Sequence, residues 1–551
     1  MKLSPQHLTL NQLLTGRLFR IPDYQRAYAW GTKQRRDLFD DIVEVQKTGQ
    51  EHFLATVVCL AKDRRLIVAN EFTVVDVVDG QQRLTTFVIL LKAIEKHLTD
   101  SVNDLRIKAE LQELLVKGDD HSLVLLQTNH DSSNVFVDYI RKGSNHKGAG
   151  LTRADQNLID AAAECEEFVC AWAKSSSLVE LVAILRNRLS MIYHELNEEA
   201  VVYRVFEVLN SRGLDVRWID KFKSQLMGLI FLRGDHNAEH LKEMHVIWQA
   251  IYRTLGLRET LGDQALRFAG TLRSSSKPNR LQSEEDAAGT LIGLAAGGLK
   301  NIADQARWLE AVVSALDQLD RNVRLRAVTG IVHARLVAAS ILLRGLPSVD
   351  EKAALGKWER VTFRIFGLGG ADSRHKVGDY VRLGYDIVAS KLDLTDIESR
   401  LNEIGNDYTI DKVLTRAEDY DNCYEGWTEE LRYLLFRYDE YLASSAGEKI
   451  NELQWNKIWQ ADPSKSIEHI RPQSSETNYM HHLGNLTMLP PLINSSLQDK
   501  PPAEKAKVYK TCGIRGTMMV GEMIENGKWD KAAVYKRAKM IEDFVRKEWA
   551  D

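Results

Sequence analysis

Residues 466–500, SIEHIRPQSSETNYMHHLGNLTMLPPLINSSLQDK, decide how the C-terminal part of the chain is read. Ile467-Glu468-His469-Ile470 alternates like a short strand, and Arg471-Pro472 ends it. Leu483-Gly484-Asn485-Leu486 reads as a turn into a second short run, and Pro490-Pro491 opens a helix that carries Asn494. The expected product is a hairpin followed by a helix. On a regular strand Glu468 and His469 face opposite sides, so a site shared by both requires a sharp twist.

The residue types in this pattern suit phosphodiester hydrolysis with one metal ion. That chemistry needs a base for the water, hard oxygen ligands for Mg²⁺, and a group that holds the base in its reactive orientation. His469 is the candidate base, with Asn485 and Asn494 following it at 16 and 25 residues. His481 and His482 read as a solvated surface pair and are left outside the ligand set. The flanks are helical: LRYLLFRYDEYLA (431–443) before the stretch, and DKAAVYKRAKMIEDFVRKEW (530–549) after it.

At the other end, residues 1–100 read as mixed α/β. A helix is expected near Lys33–Val45, then strands in HFLATVVCLA and RLIVANEFTVVDVV, then the polar turn Asp79-Gly80-Gln81-Gln82-Arg83 opening a strongly apolar helix. Gly80 permits a tight turn there, the helix N-terminus attracts anions, and Arg83 can reach a phosphate. Upstream, IPDYQRAYAW (21–30) places Tyr24, Gln25, Arg26, Tyr28 and Trp30 close together. Such a segment either stacks on a base and holds a phosphate, or forms a small aromatic core under a loop. From 100 to 430 the pattern is mostly helical, with SLVLLQT as the one strand hint and loops at 142–152 and 274–285.

Composition sets the frame. The chain has 551 residues, too many for one core. A net charge of −4 means that nucleic-acid binding rests on local patches, for which Arg321–Arg326 and Lys536-Arg537-Lys539 are candidates. Five scattered cysteines without a CxxC pair argue against a disulfide framework and fit a reducing cytoplasm. Neither a signal peptide nor a membrane-spanning run is apparent, so a cytoplasmic protein without membrane association is expected.

The pattern EHI-x-P-Q, LGNLT-x-L, Asn and a downstream Lys resembles the HNH nuclease superfamily, and more closely its DUF1524 branch. The resemblance implies that His469 activates water, Asn485 fixes the loop and the histidine, Glu468 and Asn494 hold one Mg²⁺ or Mn²⁺, and Lys500 contacts phosphate. IPxYQRxYxW and DGQQR, with FEVLNSRG (206–213) and Asp220–Lys223, resemble the DUF262 family, whose core is similar to the ParB-like nucleotide-binding fold. This implies that Asp79, Gly80, Gln81, Gln82 and Arg83 bind GTP or ATP, and that Tyr24, Gln25, Arg26, Tyr28 and Trp30 sense DNA or nucleotide.

The implied class is α+β and mostly helical. A ParB-like core occupies 1–100 with a helical continuation over 101–270, a helical middle covers 271–430, and an HNH (ββα-metal) domain embedded in helices covers 431–551. The two families joined in one chain are the arrangement of GmrSD-type restriction enzymes. The expected activity is therefore a nucleotide-regulated, Mg²⁺-dependent endonuclease acting on double-stranded, modified phage DNA, with a homodimer left open. The alternatives are an SspE-like nickase that senses phosphorothioate DNA, and a nucleotide-sensing DNA-binding scaffold whose HNH finger is inactive.

Overall fold

The computed structural model describes residues 5–22, 25, 27–117, 123–127, 133–144, 152–196, 217–231, 238–416 and 422–550. The architecture is α+β and mostly helical, in two compact units: residues 1–270 with 282–314, and 271–281 with 315–551. No helix among the described residues is long and apolar enough to cross a membrane. All five cysteines are free.

The first unit is built on a six-stranded mixed sheet. Its strands are β1 (Gln6–Thr9), β2 (Arg17–Ile21), β3 (His52–Ile67), β4 (Asn70–Asp79), β5 (Leu125–Gln127) and β6 (Leu189–Leu196), in the order β1-β6-β3-β4-β2-β5. The expected β3–β4 hairpin forms, and SLVLLQT supplies β5 at one edge. β6 is a strand within the stretch expected to be helical. It runs parallel to β3 and antiparallel to β1, so the sheet is closed by residues far beyond position 100. This is why 1–100 and 101–270 form one body instead of a core with an appendage.

The helix Gln81–His97 is the spine of that body. Fourteen of its 17 residues are buried, including Thr85, Thr86 and the Lys92–Glu95 ion pair at 2.5 Å. A helix apolar on all sides must be covered on all sides. The sheet and the helix Arg153–Trp172 provide part of that cover.

In the second unit, residues 271–281 and 315–430 of the expected helical middle belong to the same body as the C-terminal region, whereas 282–314 belong to the first unit. Buried Glu359, on the helix Ser348–Thr362, accepts from the Tyr433 hydroxyl and pairs with Arg437 at 3.1 Å; both partners lie on the helix Thr428–Ser445. The expected hairpin is present as β7 (Ile467–His469) and β8 (Leu486–Met488), antiparallel with Glu468 opposite Thr487. The helix Pro491–Leu497 follows it. Thr517, on the helix Arg515–Glu525, donates to Met488 O at 2.7 Å and holds β8 from behind.

The turn before β8 is seated on the helix Lys531–Glu548. Arg537, fully buried, donates to the carbonyls of Gly484 (3.0 Å) and Leu486 (2.7 Å), and burial pushes its guanidinium down to about 10. A Cβ on Gly484 would lie 1.9 Å from Val534 O, so the backbone-to-helix approach demands glycine. Gly484→Ala is therefore expected to destabilise the protein by about 3 kcal/mol or more. The denaturation midpoint measures this, and an unchanged midpoint would show that the turn is not seated on that helix.

Candidate active site

β7 is only three residues long, and one further rung, Ile470 N–H donating to Asn485 O at 2.9 Å, extends its pairing. Glu468 and His469 are both buried, and both line the same cleft of about 510 Å³. The opposite facing expected of a regular strand thus does not keep them from a shared site. Tyr424, Lys465, Gln473 and Asn494 line the same cleft.

Each of these side chains is held from behind. Glu468 Oε1 takes the Lys505 ammonium at 2.7 Å and the Tyr509 hydroxyl at 2.7 Å, both from the helix Pro502–Tyr509. Burial still keeps its carboxyl above the usual carboxylate range, against the pull of these donors. Lys505 also donates to His469 O at 2.8 Å. Asn494 Nδ2 donates to the carbonyls of Lys465 (3.0 Å) and Ile467 (3.1 Å), so its amide is fixed against β7 and Oδ1 is the atom suited to a cation. His469 Nε2 lies 3.0 Å from His481 Nδ1, and Gln473 Nε2 lies 3.2 Å from His469 Nδ1. Burial, then the neighbouring His481 and Lys505, push the His469 imidazole down to about 3, so it is neutral near neutral pH.

Asn485, for which the resemblance implied fixing the loop, lies behind the cleft. It is fully buried: Oδ1 accepts from Arg471 N (2.9 Å) and Trp529 Nε1 (3.2 Å), while Nδ2 donates to Arg471 O (3.0 Å) and Met480 O (2.9 Å). It ties the two ends of the 471–480 loop and does not reach the cleft. Lys500 is exposed, with Nζ on Ser496 O at 3.1 Å. The buried downstream lysine is Lys505, which the sequence reading passed over. His481, expected to be a solvated surface residue, is a hydrogen-bond partner of His469. The spacing of Lys505 and Tyr509, one helical turn apart, was the available signal for a shared target.

The N-terminal segments are placed less as a surface than expected. Tyr28 and Trp30 are buried, so their rings are core and not a stacking platform. Tyr28 OH bonds Thr86 Oγ1 at 2.9 Å, and burial raises its phenol. Gln25 is buried with Nε2 on Val78 O at 2.8 Å, and the buried Lys223 donates to Gln25 O at 3.4 Å. Gln82 Oε1 accepts from Ala29 N (2.8 Å) and its Nε2 donates to Ala27 O (3.1 Å), so this side chain is spent on holding the segment. Tyr24, Arg26 and the FEVLNSRG segment lie outside the described residues.

At the turn itself, Gly80 has φ +94°, and a Cβ there would press on Val57 Cγ2 at 3.0 Å. Glycine thus presents the uncapped N-terminus of the helix Gln81–His97. Half-buried Arg83 lies over the Trp30 ring at 5.8 Å, and Asp79 is half-buried beside the turn. Gln81 Oε1 is buried without a hydrogen-bond partner, an acceptor that calls for an N–H or O–H and not for a phosphate oxygen.

The two basic runs are corrected in part. Arg537 serves the turn before β8, and Lys539 pairs with Glu542 (3.0 Å) and Asp543 (3.3 Å). Arg321 pairs with Asp317 at 2.8 Å, and Arg324 pairs with Glu452.

Two outcomes follow from the electrostatics. Lys505→Met leaves the Glu468 carboxylate buried with Tyr509 alone and should lower stability by about 3 kcal/mol, read as a denaturant midpoint. For His469 the unfolded chain binds a proton below 6.5 and the folded one only near 3. Between those values the unfolded state holds more protons, so this group's contribution is complete above 6.5 and is lost as pH falls towards 3. A His469→Ala variant should show a flatter fall in stability over that window than the parent; equal slopes would contradict the neutral, buried imidazole.

Two family models match the chain: the N-terminal domain of the GmrSD restriction endonuclease over residues 9–227, and the C-terminal domain of GmrSD restriction endonucleases over residues 408–543. No curated protein matches it. The first match covers the sheet and the Gly80 turn; the second covers the cleft with Glu468, His469 and Asn494. The chain thus carries the N-terminal and C-terminal domains of GmrSD restriction endonucleases in order along one polypeptide, consistent with a GmrSD-type fusion.

Proposed function

We propose that this protein is a nucleotide-regulated, Mg²⁺- or Mn²⁺-dependent DNA endonuclease of modification-dependent (type IV) restriction. In this reading an HNH finger cuts, and a ParB-like N-terminal unit binds GTP or ATP and contributes to sensing modified phage DNA. The observation that carries it is the convergence of Glu468, His469 and Asn494 on one cleft, with the histidine neutral.

The donor set fits a hard divalent ion. Glu468 offers a carboxylate and Asn494 a carboxamide oxygen, while no trio of His, Cys, Asp or Glu converges among the described residues. Two protein oxygens leave the remaining positions to water and phosphate, as Mg²⁺ prefers. When bound, the ion stabilises charge on the phosphate and on the leaving oxygen. His469 takes the proton of the attacking water at its cleft-facing nitrogen. An imidazole held low by burial and by Lys505 regains basicity when a phosphate's negative charge enters the cleft. Lys465, exposed on the cleft wall, supplies a cation for a neighbouring phosphate in this reading, and Lys500, exposed two residues beyond the cleft-lining Gln498, is a second candidate.

For the nucleotide, the uncapped helix N-terminus at Gly80 suits a phosphate, and Gln81 Oε1 suits a ribose hydroxyl or a base amino group.

The test is cleavage of matched DNAs (unmodified, glucosylated hydroxymethylcytosine, phosphorothioate) with Mg²⁺, with and without GTP or ATP. The wild type should cut modified DNA in a nucleotide-dependent manner, and His469→Ala should lose about 10³-fold or more in rate. Cleavage by His469→Ala at the wild-type rate would overturn the assignment of the base.

A further inference from the structure

His481 is used by neither the fold nor the reading above, yet it makes the closest polar contact to the base. Its Nδ1 lies 3.0 Å from His469 Nε2, with the two rings at 70°. The ring is not free to wander. Tyr424 stacks on it with centroids 5.2 Å apart at 7°, and the same tyrosine meets His469 edge-on at 4.7 Å. The backbone is pinned as well: Cys423 N–H donates to His481 O at 2.9 Å, and Asn485 Nδ2 holds the preceding carbonyl, Met480 O, at 2.9 Å.

A neutral imidazole carries one N–H and one lone pair, and only the nitrogen with the lone pair can take a proton from water. Gln473 Nε2 can only donate, and it lies 3.2 Å from His469 Nδ1 and 3.3 Å from Nε2. With Nε2 occupied by His481, the Gln473 N–H falls to Nδ1, which must then hold the lone pair. The proton consequently sits on Nε2, and His481 Nδ1 accepts it. The reverse arrangement, with His481 donating to Nε2, would place the proton on Nδ1 and leave the only lone pair on Nε2, where the His481 N–H occupies it. Gln473 is exposed on the cleft, so a water can take its place beside Nδ1.

We infer that His481 is the positioning residue of this site: it accepts the Nε2–H of His469, fixes the tautomer in which Nδ1 is the base, and is itself aligned by Tyr424. The inference rests on the reading of His469 as the base. It differs from an ordinary packing role in requiring an acceptor at one definite atom. The side-chain oxygen of asparagine stands two bonds from Cβ, as Nδ1 of histidine does, whereas that of glutamine stands one bond further out.

The experiment is steady-state DNA cleavage by the full-length chain at saturating Mg²⁺, with His469→Ala, His481→Ala, His481→Asn and His481→Gln. Thermal melting is recorded for each. His481→Ala and His481→Gln should lower kcat by about 10²-fold with KM for DNA within about twofold of wild type, because a misplaced proton disables the base and leaves DNA binding intact. His481→Asn should recover to within about tenfold of wild type. If His481→Ala turns over like wild type while His469→Ala is inactive, the positioning role is wrong and the base assignment stands. If His469→Ala is as active as wild type, the base assignment itself fails. A His481→Asn variant with wild-type melting but no more activity than His481→Gln also overturns the inference. Should His481→Ala fail to fold, the Asn and Gln pair decides the matter.

Discussion

The second unit depends on the buried ion pair between Lys505 and Glu468. An ammonium and a carboxylate withdrawn from water are tolerated only if their remaining hydrogen-bonding capacity is met. Here Tyr509 supplies the second donor to Glu468, and His469 O takes another of the lysine's protons. One helix, Pro502–Tyr509, thereby fixes the carboxylate, the backbone of the histidine and the end of β7. Asn494 fixes the other side of the strand through Lys465 O and Ile467 O. Side chains locked by a supporting shell need little reorganisation when substrate arrives, which is the condition for electrostatic preorganisation.

The first unit solves a similar problem with amides. Gln82 ties the Ala27–Trp30 segment to the first turn of the central helix, Gln25 ties the same segment to β4, and Lys223 reaches it from the helix Trp218–Phe231. The polar residues of both N-terminal motifs therefore serve first to bring the motifs together. Gln81 is the exception, since its buried oxygen meets no donor among the described residues.

Much of this was legible in the residues and some was not. The β3–β4 hairpin, the helix after Gly80 and the β7–β8–helix succession follow from local pattern and turn chemistry, which act over a few positions. β6 did not announce itself, because LSMIYHEL carries no clean alternation and becomes a strand only by pairing with β3 and β1 on either side. Tyr28 and Trp30 read equally well as a surface or as a core, and the buried hydroxyl of Thr86 settles it in three dimensions. The spacing singled out Glu468, His469, Asn485 and Asn494, of which Glu468, His469 and Asn494 line the cleft; it did not single out Lys505, Tyr509 or His481. Their roles arise from proximity to side chains 12 to 41 positions away. A lysine in KAKVYK and a doubled histidine look like solvated charge until the fold surrounds them.

The seat of the turn before β8 has a temporal consequence. Arg537 supplies hydrogen bonds to a carbonyl 53 positions earlier, and the glycine there leaves no room for anything but that helix. On a ribosome the hairpin emerges first, while the helix that completes its turn is still unmade or inside the exit tunnel. The cleft of a nascent chain consequently lacks the seat of its turn for the whole of that interval, although Glu468, His469 and Asn494 have already been synthesised.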